Sequence, residues 1–307
     1  MSALRPHLFL LLVVMIFSGN ILVGKALSGL PPFTISMGRV SIALLIMLPL
    51  GWHQARHGWP VFRRHWRPLL GLALSGVAFF NALIYAALSF TSPTNVAILE
   101  SLIPVVTLLL SVLLLGERYR MLQWAGVVLS LFGAVVVIAA GEGAAAVPGG
   151  INPGDLIMLL AVLVWVGYSL LVKEHMARFP RYGSLLVMLA IANLALAPIA
   201  LLEGAWQVIP RLEVAEFAGL AYLGIFPSVV ALLLYNSALA DIAPSRAAVY
   251  LNLLPVFTML GAWWWLGDRI LPVQVIGSLV VIVGVWCTIV PRRATPSGAT
   301  RQQGADQ

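Results

Sequence analysis

Two ionisable side chains, Glu100 and Arg39, fall well inside long apolar runs of the sequence. A charge in the hydrocarbon region of a membrane costs roughly 2.5–3.5 kcal/mol on insertion scales, so each should face a cavity or a partner. Glu100 could bind a substrate or carry a proton; a structural ion pair, or a carboxyl that its apolar surroundings keep uncharged, would also explain it. An ion pair between Arg39 and Glu100 is one hypothesis. Extension of the Arg39 side chain to the outer headgroups is the alternative.

Helical spacing gives one face of the run around Glu100 only small or polar side chains. That face carries Pro93, Ala97, Glu100, Pro104, Thr107 and Ser111. The remaining positions are mainly Leu, Ile and Val, so this face is not expected to contact lipid. Pro104 and Pro255 occupy equivalent midspan positions, where each would free the carbonyl four residues earlier. A paired kink that lines a pathway is therefore predicted, although prolines are also ordinary in membrane helices.

Polar and aromatic side chains near the middle of other apolar runs complete the candidate site. An aromatic-lined cavity suits an amphipathic organic solute, whereas each such side chain alone is more often packing between helices. Besides Glu100, Arg39, Pro104, Thr107 and Pro255, the predicted pathway residues are Asn20, Asn81, Tyr85, Trp165, Tyr168, Tyr235, Tyr250 and Asn252. The sequence contains no P-loop, Rossmann fingerprint, HExxH, GxSxG or Cys cluster, so no catalytic residue, cofactor or metal is predicted.

The composition of the chain suits lipid better than water. It is 61% hydrophobic and 9% charged, with a mean hydropathy of +0.99, whereas a soluble protein carries about 25% charged residues. The net charge of +7 could suggest nucleic acid, but the basic residues lie in short loops between apolar runs, as topology signals do. Cys287 is the single cysteine, which excludes an intrachain disulfide.

Ten apolar runs meet the length of about 20 residues that a spanning helix needs. They are 8–26, 33–52, 68–88, 93–115, 122–140, 154–173, 183–202, 216–239, 245–266 and 272–290. A cytoplasmic N-terminus places most of the 18 Lys and Arg residues inside, which predicts that both termini are cytoplasmic. We interpret the first run as a retained helix because it is longer than a signal-peptide core and lacks a clear cleavage site.

Residues 92–138 and 243–289 are two copies of one segment, related by a constant shift of 151. The matches include Pro93 with Pro244, Pro104 with Pro255, Gly126 with Gly277 and Gly133 with Gly284. An offset of five spans is odd, so the copies insert with opposite orientation, which is a basis for alternating access.

The predicted fold is an all-α membrane protein with ten transmembrane helices in two inverted five-helix repeats. The repeats occupy 1–140 and 154–290, with a linker loop at 141–153 between them. The tail 291–307 is rich in Gly, Ser, Thr and Gln, so it is predicted to be disordered in the cytoplasm.

The repeated segments resemble the EamA type of the drug/metabolite transporter superfamily over about residues 8–290. The resemblance rests on Phe17-Ser18-Gly19-Asn20 with Lys25, on 92–97 through Pro104 to Gly116-Glu117-Arg118, and on 243–248 through Pro255 to Gly267-Asp268-Arg269. It implies a transporter, in a family whose members export amino acids, nucleosides, drugs and other metabolites. Glu100 departs from the family, whose members usually carry a small or apolar residue there. An Arg near position 39 is usual, so a role in the fold competes with a role in the site.

Together these features predict a secondary transporter in the inner (plasma) membrane. It would move an amino acid or drug-like solute, in the outward direction, by alternating access, and Glu100 offers a route for proton coupling. A facilitated-diffusion carrier, a channel and, less favoured, an intramembrane enzyme remain the alternatives. The expected partners are the solute, the lipid bilayer and protons, without nucleic acid, and the protein would be a monomer or a homodimer.

Overall fold

The apolar runs fold into helices in the computed structural model, which describes residues 4–90, 96, 99–116, 120–141, 153–266 and 270–289. Within these ranges all regular structure is helical. The longer helices, labelled in chain order, are α1 (Arg5–Ala26), α2 (Pro32–His57), α3 (Trp66–Leu88), α4 (Ile103–Leu115), α5 (Met121–Gly141), α6 (Pro153–His175), α7 (Arg181–Leu202), α8 (Val214–Asp241), α9 (Leu254–Leu266) and α10 (Pro272–Ile289).

Six of the described helices, α1 to α3 and α6 to α8, are long and apolar enough to cross a membrane. The helices α4, α5 and α10 are shorter and also apolar. Short helices at Trp59–Arg64 and Ala205–Val208 lie between α2 and α3 and between α7 and α8. Most of the predicted linker, the predicted tail, and the turns at 117–119 and 267–269 lie outside the described residues.

The distribution of side chains is the reverse of that in a soluble protein. Large apolar side chains cover the outer surface, as Leu202 at 90% exposure and Trp264 at 85% show. Polar groups such as Thr107 and Asn252 are fully buried. An exposed apolar surface of this extent marks contact with another apolar phase, and lipid supplies that phase for the multi-pass helices.

The helices α5 and α10 meet at their backbones through four glycines, which we call the glycine seam: Gly126 and Gly133 in α5, Gly277 and Gly284 in α10. A Cβ atom on Gly126 would lie 2.7 Å from the carbonyl oxygen of Gly284, and one on Gly133 would lie 2.7 Å from that of Gly277. The contacts run in opposite order along the two helices, so the helices are antiparallel. Only glycine permits so close an approach.

The helices α2 and α7 form a second antiparallel pair. Near the start of α2, the backbone N–H of Thr34 donates to Glu203 at the end of α7 at 2.8 Å. Further along, the side-chain amide of Asn193 donates to the hydroxyl of Ser41 at 2.7 Å. Because the position in α7 falls as the position in α2 rises, the two helices run in opposite directions.

The helices are interrupted at equivalent positions in the two copies of the repeat. A turn at Ser101 and Leu102 precedes α4, and a 3-10 turn at Tyr250–Leu253 precedes α9. The sequence predicted that Pro104 and Pro255 would kink continuous helices. Instead, each proline lies in the first turn of its helix, where its missing N–H has no intrahelical partner to lose.

Two further irregular segments widen the middle of α3 and α8. A π-helical stretch covers Ala73–Phe79 in α3, and another covers Phe226–Ala231 in α8. Pro227 accounts for the second because it removes a backbone donor. In the first, the ring of Tyr168 occupies the space beside Gly76 that any larger side chain would fill. Such π-segments are frequent at functional sites, and the α3 stretch ends beside the cavity described next.

Candidate functional site

A cavity of about 220 Å³ lies between α1, α3 and the residues before α4. Its polar lining consists of Asn20, Lys25, Ser28, Asn81, Tyr85 and Glu100. Lys25 and Ser28 are exposed, so the cavity reaches the surface at the end of α1. Pockets for drug-sized ligands occupy about 300–1,000 Å³, so this cavity suits a smaller solute.

The apolar wall of the cavity includes two aromatic rings, Phe17 from α1 and Phe80 from α3. Sequence reasoning did not select either residue for the site. Phe80 directly precedes the predicted pathway residue Asn81, and Phe17 lies one turn before Asn20. Their spacing from polar positions on the same helices was the signal that would have found them.

Glu100 lies on the cavity wall, and no described residue pairs with it. No hydrogen bond or ion pair joins its carboxyl group to any residue in the described part of the chain. The side chain is partly exposed, and the exposure is to the cavity that it lines. An acidic group in this setting is free to accept a proton or a cationic group of a solute.

Arg39 lies behind the cavity and is held by three neutral side chains. Its Nε–H donates to Ser228 at 2.9 Å, and its Nη1–H groups donate to Asn20 at 3.1 Å and to Tyr85 at 2.9 Å. The Tyr85 hydroxyl also donates to Asn20 at 3.2 Å. This network joins α1, α2, α3 and α8, and it fixes the polar tips of two cavity residues.

Both hypotheses for Arg39 need correction. The side chain is only 3% exposed, so it does not extend to the headgroups. Among the described residues it forms no ion pair with Glu100, because Asn20, Tyr85 and Ser228 already accept its N–H groups. Arg39 therefore supports the cavity wall, and its hydrogen-bond acceptors among the described residues are neutral.

Three predicted pathway aromatics, Trp165, Tyr168 and Tyr235, form a buried cluster instead of a cavity wall. The Trp165 ring lies 4.4 Å from the Phe80 ring and 5.1 Å from the Tyr235 ring, measured between centroids. All three side chains are fully buried, and none of them lines the cavity. They close the space behind Phe80.

Hydroxyl groups of this aromatic cluster are satisfied within the protein. The Tyr168 hydroxyl donates to Asn236 at 2.6 Å. The hydroxyls of Tyr235 and Ser169 share a hydrogen bond of 2.8 Å. Buried tyrosines normally find such partners, so these groups stabilise the packing of α6 against α8.

The remaining predicted residues lie away from the cavity. The Thr107 hydroxyl donates to the Ile103 carbonyl in its own helix at 2.7 Å. The amide of Asn252 donates to Ser130 at 2.8 Å. Tyr250 shares a hydrogen bond of 2.6 Å with His7, and Pro104 and Pro255 begin their helices. None of the residues just named lines the cavity.

The model of the EamA-like transporter family matches this chain over residues 4–139 and 152–290. The chain belongs to the EamA-like transporter family. It is therefore a multi-pass membrane protein from a family of small-molecule transporters.

Similar proteins carry transporter names. An uncharacterized transporter of Archaeoglobus fulgidus is 28% identical, over 92% of this chain and 97% of that protein. A probable amino-acid metabolite efflux pump of Salmonella typhimurium is 25% identical, over 94% of this chain and 97% of that protein. The aromatic amino acid exporter YddG of Ancylobacter novellus is 28% identical, over 70% of this chain and 72% of that protein.

A solved crystal structure shares the fold. It superimposes with a TM-score of 0.73 at 20% sequence identity, over 92% of this chain and 97% of the other. At this level of identity the likeness concerns the arrangement of the helices alone.

Proposed function

We propose that this protein is a secondary transporter that exports a small organic solute across the inner membrane by alternating access. The observation that carries the proposal is the cavity: it contains an acidic group that no described residue pairs with, and it reaches the surface at Lys25 and Ser28. Behind Phe80, the buried cluster of Trp165, Tyr168 and Tyr235 blocks the way onward. A solute site that is open to one side and closed to the other is what a carrier needs in one of its two states.

The architecture that supports this mechanism is ten transmembrane helices in two inverted repeats, 1–140 and 154–290, with both termini in the cytoplasm. The glycine seam favours it, because α5 and α10 are antiparallel and the repeat equates the residues of one helix with those of the other. With the N-terminus inside, α1 ends on the outer side. The cavity mouth at Lys25 and Ser28 would then face outward.

The cavity chemistry favours a solute with an ammonium group and an apolar side chain. Glu100 offers a carboxyl group, Asn81 offers an amide, and Phe17 and Phe80 offer ring faces. An amino acid has this combination, and two relatives of this chain are named as a probable amino-acid metabolite efflux pump and an aromatic amino acid exporter. The volume of about 220 Å³ fits a solute of that size.

Glu100 also offers a way to couple export to protons. In such a cycle the carboxyl group releases its proton when the solute binds and regains a proton after the solute leaves. The proton and the solute then cannot occupy the carboxyl group at the same time. Proton entry would then drive solute export. A carrier without this coupling would instead equilibrate the solute by facilitated diffusion.

The test is transport of radiolabelled L-phenylalanine in proteoliposomes, under a pH gradient and at equal pH. In Glu100→Gln the shape of the side chain is kept but no proton is released. We expect this variant to lose gradient-driven transport and to retain exchange at equal pH, because the amide oxygen of Gln can still accept a hydrogen bond from the ammonium group of the solute. The matched control is Glu174→Gln, which changes an exposed carboxyl away from the cavity and should behave like the wild type.

Each contrary outcome has a distinct meaning. Gradient-driven transport at the wild-type rate in Glu100→Gln would rule out coupling through this residue. Loss of both activities would show that solute binding requires the negative charge of Glu100, or that this residue supports the fold. Flux without saturation or counterflow would indicate a channel. Absence of flux for every amino acid tested would refute the amino-acid proposal.

A further inference from the structure

The chain contains two lysines, Lys25 and Lys173, and they occupy matched positions. Gly19 and Lys25 in α1 correspond to Gly167 and Lys173 in α6 at a shift of 148 residues. Each lysine lies in the last turn of its helix. In an inverted arrangement the two would lie at opposite ends of the helix bundle. All the other basic side chains of the chain are arginines or histidines, so lysine occurs only at these two matched positions.

Lys173 closes one end of the bundle by binding the end of α8. Its ammonium group donates to the carbonyl oxygens of Leu239 at 3.0 Å, Ala240 at 3.4 Å and Ile242 at 3.1 Å. The last carbonyls of a helix lack partners within the helix and carry partial negative charge. A lysine there is a recognised way to satisfy them, and this one joins α6 to α8.

Lys25, unlike Lys173, does not bind a helix end among the described residues. It is exposed at the mouth of the cavity, and no described residue accepts a hydrogen bond from it. Leu88, at the end of α3, lines the same cavity as Lys25. Extended to the residues just before the repeated segment, the shift of 151 pairs Leu88 and Ser89 with Leu239 and Ala240, so the end of α3 is the counterpart of the helix end that Lys173 binds.

We propose that Lys25 and Lys173 are alternating latches of the transport cycle. In the present state Lys173 holds α6 and α8 together while Lys25 is released and the cavity is open. In the opposite state Lys25 donates hydrogen bonds to the carbonyls of Leu88 and Ser89 and closes the mouth of the cavity. The hydrogen bonds between Lys173 and the end of α8 are then broken. The proposal rests on the alternating access proposed above.

The latches have the property that a conformational bias requires. A contact shifts an equilibrium between two states only if it is made in one of them and not in the other. The bonds of Lys173 exist in the open-mouthed state described here. Removal of either lysine should therefore move the equilibrium, and the two removals should move it in opposite directions.

The experiment measures accessibility at two matched reporter positions in a Cys287→Ala background. Ser28→Cys reports on the cavity mouth, and Met176→Cys, its counterpart at the shift of 148, reports on the other end. A membrane-impermeant maleimide is added from each side of oriented vesicles. Lys173→Met keeps the length of the side chain but removes the ammonium group, and Lys25→Met does the same on the other side.

We expect Lys173→Met to raise labelling of Met176→Cys and to lower labelling of Ser28→Cys. Lys25→Met should have the opposite effect on both reporters. Loss of a charge-assisted hydrogen bond corresponds to a shift of about tenfold or more in the ratio of the two rates. Lys173→Arg, which can still donate to the carbonyls, should restore the wild-type ratio, and Glu174→Gln should not change it.

Shifts in the same direction for both lysine variants, or no shift in either, would overturn the proposal. If Lys173→Met does not fold, the Lys25→Met arm and the Lys173→Arg arm still decide the matter. A second readout uses the native lysines: acetylation by a sulfonated succinimidyl ester, followed by mass spectrometry, should find Lys25 reactive and Lys173 protected. Exchange of L-phenylalanine is measured in parallel, so failure of transport as such is distinguished from failure of the latches.

Discussion

Substitutions at Tyr85 and Ser228 can distinguish two roles of the residues around the cavity. One role is support of the cavity wall through Arg39, and the other is contact with the solute. Each accepts one hydrogen bond of 2.9 Å from the Arg39 guanidinium. Tyr85 also lines the cavity, whereas Ser228 does not. We expect Tyr85→Phe and Ser228→Ala to destabilise the protein by similar amounts, and only Tyr85→Phe to change the affinity for solute.

The magnitude follows from the bonds that each substitution removes. A hydrogen bond to a charged group contributes about 1.5–3 kcal/mol, and a neutral one about 0.5–1.5 kcal/mol. Tyr85→Phe removes the charged bond and the neutral bond to Asn20, of 3.2 Å. Ser228→Ala removes the charged bond and the neutral bond to the Leu223 carbonyl, of 2.8 Å. Each variant should therefore lose about 2–4.5 kcal/mol.

The effect on affinity is estimated separately. If the Tyr85 hydroxyl contributes one neutral hydrogen bond to the bound solute, its loss weakens binding by about 0.5–1.5 kcal/mol, which is roughly two- to tenfold in Kd. Denaturant unfolding of the purified protein measures stability, and calorimetric titration with L-phenylalanine measures Kd. An equal change of Kd in both variants would refute the assignment of Tyr85 to the solute site. Unchanged stability in Ser228→Ala would refute the importance of the Arg39 network.

Three further predictions concern the fold. Arg120→Cys and Leu271→Cys, each in a Cys287→Ala background, should be labelled from opposite sides of the membrane; labelling from one side would contradict inversion. Gly133→Ala should lower the unfolding free energy by about 1–3 kcal/mol through overpacking, because its Cβ would lie 2.7 Å from the Gly277 carbonyl oxygen. Gly29→Ala, with open space around it, is the control. Trp165→Ala should cost about 3–5 kcal/mol as a buried large-to-small change, and thermal unfolding measures that loss; wild-type stability would place the ring outside the core.

The helical character and the family were predictable because both depend on patterns that are visible in the sequence itself. In lipid, the backbone groups of a continuous apolar run of spanning length are satisfied within a helix, and all regular structure among the described residues is helical. The break before Pro104 was not predicted, because a proline in an apolar run is equally compatible with a kinked continuous helix. The choice between them depends on how the preceding residues pack.

The candidate site was predicted in part, and the division has a physical reason. Glu100, Asn81 and Tyr85 line the cavity because polar groups within spans must face the interior. The same rule selected Trp165 and Tyr235, but they lie in the core. Periodicity shows that a side chain faces inward; whether it meets a cavity or a neighbouring ring depends on contacts between distant helices.

The glycine seam has the form of an isologous contact, in which the same patch serves on both sides. In a symmetric pair of separate halves, every substitution in that patch would appear twice. Here the two patches belong to one chain, so each can change alone: Ser130 of α5 binds Asn252, while its counterpart Val281 is an apolar core residue. For the same reason, Glu100 in the first copy of the repeat can correspond to Leu251 in the second. Covalent joining thus permits one acidic group without a counterpart in the other repeat, where strict symmetry would demand two.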